Sequence, residues 1–192
     1  MTDTDRPIRE SYWVEPGRFL AGEYPAAAYV ERARERLDQL LDAGLDTFID
    51  LTLPNELPPY LPLLIEQAKG RDIQVYYKRF TIIDRSIPMG GMMTTILNAI
   101  DKALAEGHNI YLHCWGGIGR TGLTVGCYLV RRGLTGKQAL AQLAEWWKEV
   151  PKSAYNPRTP ETDRQVDYIL KWKETLPPSE FSSEDDKGTG EK

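Results

Sequence analysis

Cysteine and histidine are scarce in this chain, with two of each among 192 residues. Cys114 and Cys127 are too few for a disulfide scaffold, so the sequence reads as that of a cytoplasmic protein in a reducing compartment. Together with His108 and His113 they give no expectation of a structural zinc site. No apolar run comes near the ~20 residues of a membrane span, and the charged start Met1–Glu10 does not read as a signal peptide. Positive charge is also in deficit. Lys+Arg number 24 against 28 Asp+Glu, a net charge of −4, without the overall footprint of a nucleic-acid or membrane-surface binder. What is present suffices for one domain with a core, at 41% hydrophobic and 27% charged residues.

Residues 1–10 are expected to be a flexible N-terminus, 11–176 a single domain, and 177–192 an acidic tail too polar to offset the cost of ordering. Between the ends the pattern alternates. Trp13-Val14 and Arg18–Ala21 flank a Glu15-Pro16-Gly17 turn as two short strands. Val30, Ala33, Leu37, Leu40 and Leu41 share one helical face that Gly44 closes. Thr47–Leu51 is β-rich. A helix over Pro59–Lys69 turns Leu61, Leu64, Ile65 and Ala68 inward, and Ile73–Tyr77 reads as the next strand. Met93, Ile96, Leu97, Ile100 and Leu104 mark a third helix, and Asn109–His113 is a buried strand. Helices then follow over Arg120–Arg132, Thr135–Val150 and Glu161–Leu176. Strands alternating with helices give an α/β fold with a mainly parallel sheet, whose site lies beyond the carboxyl ends of the strands. That singles out Asp50–Asn55, Phe80–Pro88 and Cys114–Arg120.

The last of these runs from strand through a glycine-rich loop into a helix. Two phosphate motifs are excluded first. A Walker loop needs a glycine where Cys114 stands and a lysine where Arg120 stands; Gly117–Gly122 matches GxGxxG, but no strand with an acidic residue follows it. What fits is an anion cradle around a thiol. Glycines let successive N–H groups of Trp115, Gly116, Gly117, Ile118 and Gly119 point at one centre, and the following helix adds its positive end. Arg120 supplies a planar fork for two phosphate oxygens. Donors that hold a phosphate dianion also favour a thiolate, and such surroundings lower a cysteine from near 8.5 to between ~3.5 and ~7.5.

His113-Cys114-x5-Arg120-Thr121 resembles the His-Cys-x5-Arg-Ser/Thr signature of cysteine-dependent protein tyrosine and dual-specificity phosphatases. Tyr12-Trp13-Val14 with Phe19–Pro25 look like that family's entry strands and Phe48–Thr52 like its next strand, so the likeness covers about residues 10–176. It implies a central sheet of four to five strands flanked by helices. It implies Cys114 as the nucleophile, Arg120 and the Trp115–Arg120 amides as phosphoryl ligands, Thr121 as a hydrogen-bond donor to the sulfur, and His113 as an orienting residue. The leaving oxygen needs a proton. Asp84, 30 residues before Cys114 in the loop after the Ile73–Tyr77 strand, stands where the family places its acid. No Trp-Pro precedes it, and Asp50 is the fallback. In Pro160–Gln165 the family's water-positioning glutamines are matched by Gln165, while Glu161 stands where the first would be.

Other residues carry blander expectations. Cys127 shares a helical face with Leu123 and Val130 and reads as core, the alternative being a redox partner of Cys114. His108 reads as a solvated turn residue. Lys78, Arg79, Arg85 and Arg158 either ring the pocket or are scattered solvated charges. The expected activity is metal- and cofactor-independent hydrolysis of phosphotyrosine, with phosphoserine and phosphothreonine as further candidates, in phosphorylated protein substrates, by a monomer. A loop without lysine argues against the alternatives of phosphoinositide or inositol phosphate. The non-enzymatic alternative is a catalytically silent phosphate-binding module.

Overall fold

The structure, a computed structural model, describes residues 6–26 and 29–174. Five strands form one sheet: β1 (Ser11–Glu15), β2 (Phe19–Gly22), β3 (Thr47–Asp50), β4 (Tyr76–Arg79) and β5 (Ile110–His113), in the order β1-β2-β5-β3-β4. β1 and β2 form an antiparallel hairpin; the β2–β5, β5–β3 and β3–β4 pairs are parallel. Among the described residues six α-helices accompany the sheet: α1 (Val30–Asp42), α2 (Leu61–Lys69), α3 (Met92–Ala105), α4 (Gly119–Arg131), α5 (Gly136–Lys148) and α6 (Asp163–Lys171). This is the expected α/β architecture.

Alternating side chains along each strand feed two cores. Phe19, Ala21, Ile49, Ile110 and Leu112 pack towards α3, α4, α5 and α6. Leu20, Phe48 and Tyr111 pack on the other face with Leu37, Leu40 and Leu41 of α1 and Leu64 of α2. β5 lies at the centre, all four of its residues buried, which is why it reads as an apolar run rather than an alternating one. The registers bring Gly22, His113 and Asp50 level at one edge of the sheet, so the carboxyl ends of β2, β5 and β3 open on one place.

Several expectations shift. The strand anticipated at Ile73–Tyr77 forms at Tyr76–Arg79, because Ile73 N–H turns back to the Ala68 carbonyl at the end of α2. Val30 and Ile65 are exposed rather than inward. His108 is no solvated residue: its Nδ1 lies 2.9 Å from Asp46 Oδ2 and its ring packs on Tyr76. α6 begins at Asp163, where Thr162 and Gln165 form a reciprocal capping box. Residues 6–10 belong to the packed structure, with Ile8 buried and Arg6 bonded to the Ser11 and Glu149 carbonyls. The tail 177–192 lies outside the described residues.

Candidate active site

The loop between β5 and α4 is shaped by what its carbonyls bind. His113 Nδ1 meets the Cys114 carbonyl at 3.2 Å, Tyr24 N–H donates to Trp115 at 2.8 Å, Lys152 Nζ to Gly116 at 3.0 Å, and Thr159 Oγ1 to Ile118 at 2.7 Å. Each carbonyl is drawn away from the loop's centre, so the peptide N–H groups are left to face it, as an anion nest requires. Gly117 makes the tightest bend. Its φ is +75°, and a Cβ there would lie 2.6 Å from the backbone carbon of Gly22. α4 then begins at Gly119 with its positive end directed at the same centre. Cys114, buried, stands at the mouth of this nest between β5 and the loop.

His113 acts as a fixed strut. A carbonyl only accepts, so Nδ1 carries the proton, and Nε2, 2.7 Å from Tyr60 Oη, accepts from the phenol. Burial pushes the imidazole down to about 4, against the neighbouring Asp50 charge, so the ring is neutral near pH 7. Tyr60, raised well above the ordinary phenol value mainly by burial, keeps its proton to donate. Asp50, the fallback acid, is occupied elsewhere. It is fully buried and accepts from Thr52 N–H and Oγ1, Tyr77 Oη and Arg79. Burial would raise its carboxyl, but the His113 ring and the Thr52 and Tyr77 donors outweigh that and hold it below the usual range. It anchors the end of β3 and has no position from which to protonate a leaving group.

Arg120 gathers the three strand-end regions. Its Nη1 donates to Glu56 Oε2 at 2.8 Å and to the Ile82 carbonyl at 3.2 Å. Its Nη2 reaches Glu56 Oε1 at 2.6 Å and Asp84 Oδ1 at 3.1 Å. Burial works against the guanidinium charge, and Glu56, Cys114 and Asp84 more than restore it. Glu56 is in turn held below the usual carboxylate range, chiefly by the bond from Arg120. Of the five N–H donors, Glu56 takes the two at the tip and Ile82 one; Asp84 Oδ1 lies beside Nη2 as an ion pair, and Nε, buried, has no hydrogen-bond partner among the described residues. The Nε–Nη2 edge is therefore the side of the fork that two phosphoryl oxygens can take, once Asp84 yields its place on Nη2.

Of the anticipated site residues, Cys114, the loop, Arg120 and Asp84 meet at one place. Thr121 Oγ1 is buried there without a hydrogen-bond partner among the described residues, so the anticipated bond to sulfur is not formed in this conformation. Gln165 lies against Gly119 but spends its amide on structure: Oε1 accepts from Thr162 N–H at 3.1 Å, and Nε2 donates to the Ser86 carbonyl at 3.0 Å. Three of the four candidate cations are paired with carboxylates. Arg79 pairs with Asp50, Arg85 with Glu161 and Arg158 with Asp163, while Lys78 lies over Phe80. Cys127 is core, its thiol raised by burial. Glu56, Thr159 and Lys152 were missed. Only Glu56 had a usable signal, one residue beyond the flagged Asp50–Asn55 segment.

Residues 8–172 match the family described as Swiss Army Knife protein, DSP-PTPase phosphatase domain. Among solved structures, the active form of Tk-PTP is 26% identical with a TM-score of 0.63, covering 84% of this chain and 94% of its own. PTPMT1 in complex with PI(5)P is 16% identical with a TM-score of 0.62, covering 84% and 92%. The core catalytic domain of the PP-IP phosphatase SIW14 from S. cerevisiae is 15% identical with a TM-score of 0.62, covering 88% and 89%. The last two likenesses carry the fold alone. The family match spans nearly all of the described sheet and helices, including the Cys114–Arg120 loop: this chain belongs to the DSP-PTPase phosphatase family.

Proposed function

We propose that this phosphatase hydrolyses phosphotyrosine in proteins through a cysteinyl-phosphate on Cys114, with Asp84 as general acid. The observation that carries the reading is the convergence on Arg120. The residue whose buried Nε has no partner among the described residues also holds, 3.1 Å from its Nη2, the carboxylate of Asp84, 51% exposed. A phosphoryl group entering the nest takes that edge and displaces Asp84 towards the leaving oxygen. The Cys114 thiolate attacks phosphorus, the P–O bond to the leaving group breaks, and Asp84 gives that oxygen its proton. Water then attacks phosphorus as its proton passes to the Asp84 carboxylate, the S–P bond breaks, and phosphate leaves the regenerated thiolate. The N–H groups and Arg120 stabilise charge as it spreads over the phosphoryl oxygens, the largest single contribution in such sites.

Two features support a protein phosphoester over a polyphosphorylated inositol. The loop Trp115–Gly119 holds no lysine, and Arg85, Arg158 and Lys152 around the nest are each paired with a carboxylate. A cleft beside the nest sets Tyr24, Leu57, Pro58 and Trp115, surfaces suited to an aromatic ring, beside a charged side of Arg32, Arg36, Lys152 and Glu23 that suits an adjoining acidic peptide. The test is phosphate release, in EDTA, from p-nitrophenyl phosphate, phosphotyrosine and phosphoserine peptides, a phosphoinositide and an inositol polyphosphate. Turnover is expected on the aryl ester and the phosphotyrosine peptide, abolished in Cys114→Ser and reduced about 10²-fold or more in Asp84→Asn. Higher kcat/KM on the inositol compounds would overturn the substrate assignment. Phosphate binding without turnover would overturn the enzymatic one and favour a silent binding module.

A further inference from the structure

Asp84 and Arg85 occupy the centre of a turn closed by Ser86 N–H donating to the Ile83 carbonyl at 3.0 Å. Arg85 has a φ of +58°, the sign found at the third position of a type II turn, where glycine is favoured and a side chain is rarely tolerated. The consequence is that two neighbouring side chains diverge. Asp84 turns to Arg120, and Arg85 turns to Glu161, its Nη1 2.5 Å from Oε1.

Glu161 lies on the segment that leads into α6, and that segment also grips the nest. Thr159 holds the Ile118 carbonyl at 2.7 Å, and the side chains of Gln165 and Glu161 lie 3.1 and 3.3 Å from where a Cβ on Gly119 would stand. Gln165 Nε2 holds the next residue of the acid loop by the Ser86 carbonyl. One short stretch of chain thus fixes both the phosphate cradle and the loop bearing the acid. Gln165 and Thr159 fix backbone; the Arg85–Glu161 pair acts on the residue beside Asp84.

We propose that the Arg85–Glu161 pair is a latch that sets Asp84 over the nest, Glu161 being a positioning residue that acts through Arg85. The inference rests on Asp84 being the general acid. With Arg85 64% and Glu161 27% exposed, the pair adds little to stability, and its contribution is geometric. A general acid matters in proportion to the leaving oxygen's need for a proton. A misplaced Asp84 therefore slows esters of ordinary phenols and spares esters whose phenolate leaves readily.

The test compares kcat/KM for phenyl phosphate and 2,4-dinitrophenyl phosphate across Arg85→Gly, Glu161→Gln, the exchange Arg85→Glu with Glu161→Arg, and Asp84→Asn. Each single latch variant is expected to lose about tenfold on the phenyl ester and less than about twofold on the dinitrophenyl ester. The exchange is expected to regain most of the loss. Arg85→Gly is expected to unfold no lower than the wild type, since glycine suits the backbone there, which separates the effect from a folding defect. If Asp84→Asn shows the leaving-group pattern and the latch variants do not, the latch is overturned while the acid assignment stands. A loss in Glu161→Gln that Arg85→Gly does not share and the exchange does not restore also overturns it, by giving Glu161 a role of its own. If Asp84→Asn slows both esters alike, the acid assignment fails and the latch with it.

Discussion

A buried arginine is costly unless every donor is used or reserved. Arg120 solves this by division: Glu56 neutralises the tip of the guanidinium, and the Nε edge is the one proposed for phosphate. The sequence made Arg120 conspicuous through its spacing from Cys114, but Glu56 had no spacing of its own. It is recruited by folding, across 64 positions of chain, and the strand-end rule pointed one residue short of it. Glu56→Ala would leave the fork free to swing away from the nest. Steady-state kinetics on p-nitrophenyl phosphate should show a fall of about tenfold or more in kcat/KM, and an unchanged value would mean that Arg120 is held by the nest alone.

At the scale of elements, the unit that matters is β5, the loop and α4 taken together. β5 and α4 were legible because burial and helical periodicity write themselves directly into residue type. The shape of the loop was only half legible. Its glycines announced a bend, but the bend is fixed by partners from elsewhere, Tyr24, Lys152 and Thr159, which hold the carbonyls outward. Adjacent glycines should therefore differ sharply. Gly117→Ala forces a side chain into a left-handed residue and against the backbone of Gly22, whereas a Cβ at Gly116 meets only Ile118 at an ordinary 3.5 Å. Thermal unfolding and phosphate binding should show Gly117→Ala strongly impaired and Gly116→Ala close to wild type. The misplaced fourth strand has the same origin: Ile73 and Val75 have strand character, yet Ile73 is used to close the end of α2.

For the whole molecule, the end of β5 is tied to the core on the α1 and α2 face through His113, which is neutral and buried between Tyr24, Tyr60 and Tyr111. Its pKa falls from the ordinary 6.5 to about 4 on folding. Between those values the unfolded chain binds more protons than the folded one, so stability falls as the pH falls from about 6.5 towards 4. Asp50, lowered on folding, contributes only at lower pH, where carboxylates begin to protonate. Urea unfolding should thus show a loss of about 2 kcal/mol from pH 7 to pH 5 through His113, and His113→Asn should remove most of that slope. A wild-type stability flat across this range would show that the ring is charged or solvated in the folded protein. The α/β class followed from the alternation of strands and helices, but which side chains would neutralise one another around the nest did not, because ion pairs such as Arg85–Glu161 join residues 76 positions apart.

The central claim is that Cys114 carries the phosphoryl group, and the most direct measurement is its capture. Wild-type protein mixed with an aryl phosphate, quenched in acid within the first turnover and digested, should yield the Cys114 peptide heavier by one phosphoryl group, a species missing from Cys114→Ser. A phosphoryl group on any other side chain, or undiminished turnover by Cys114→Ser, would contradict the account.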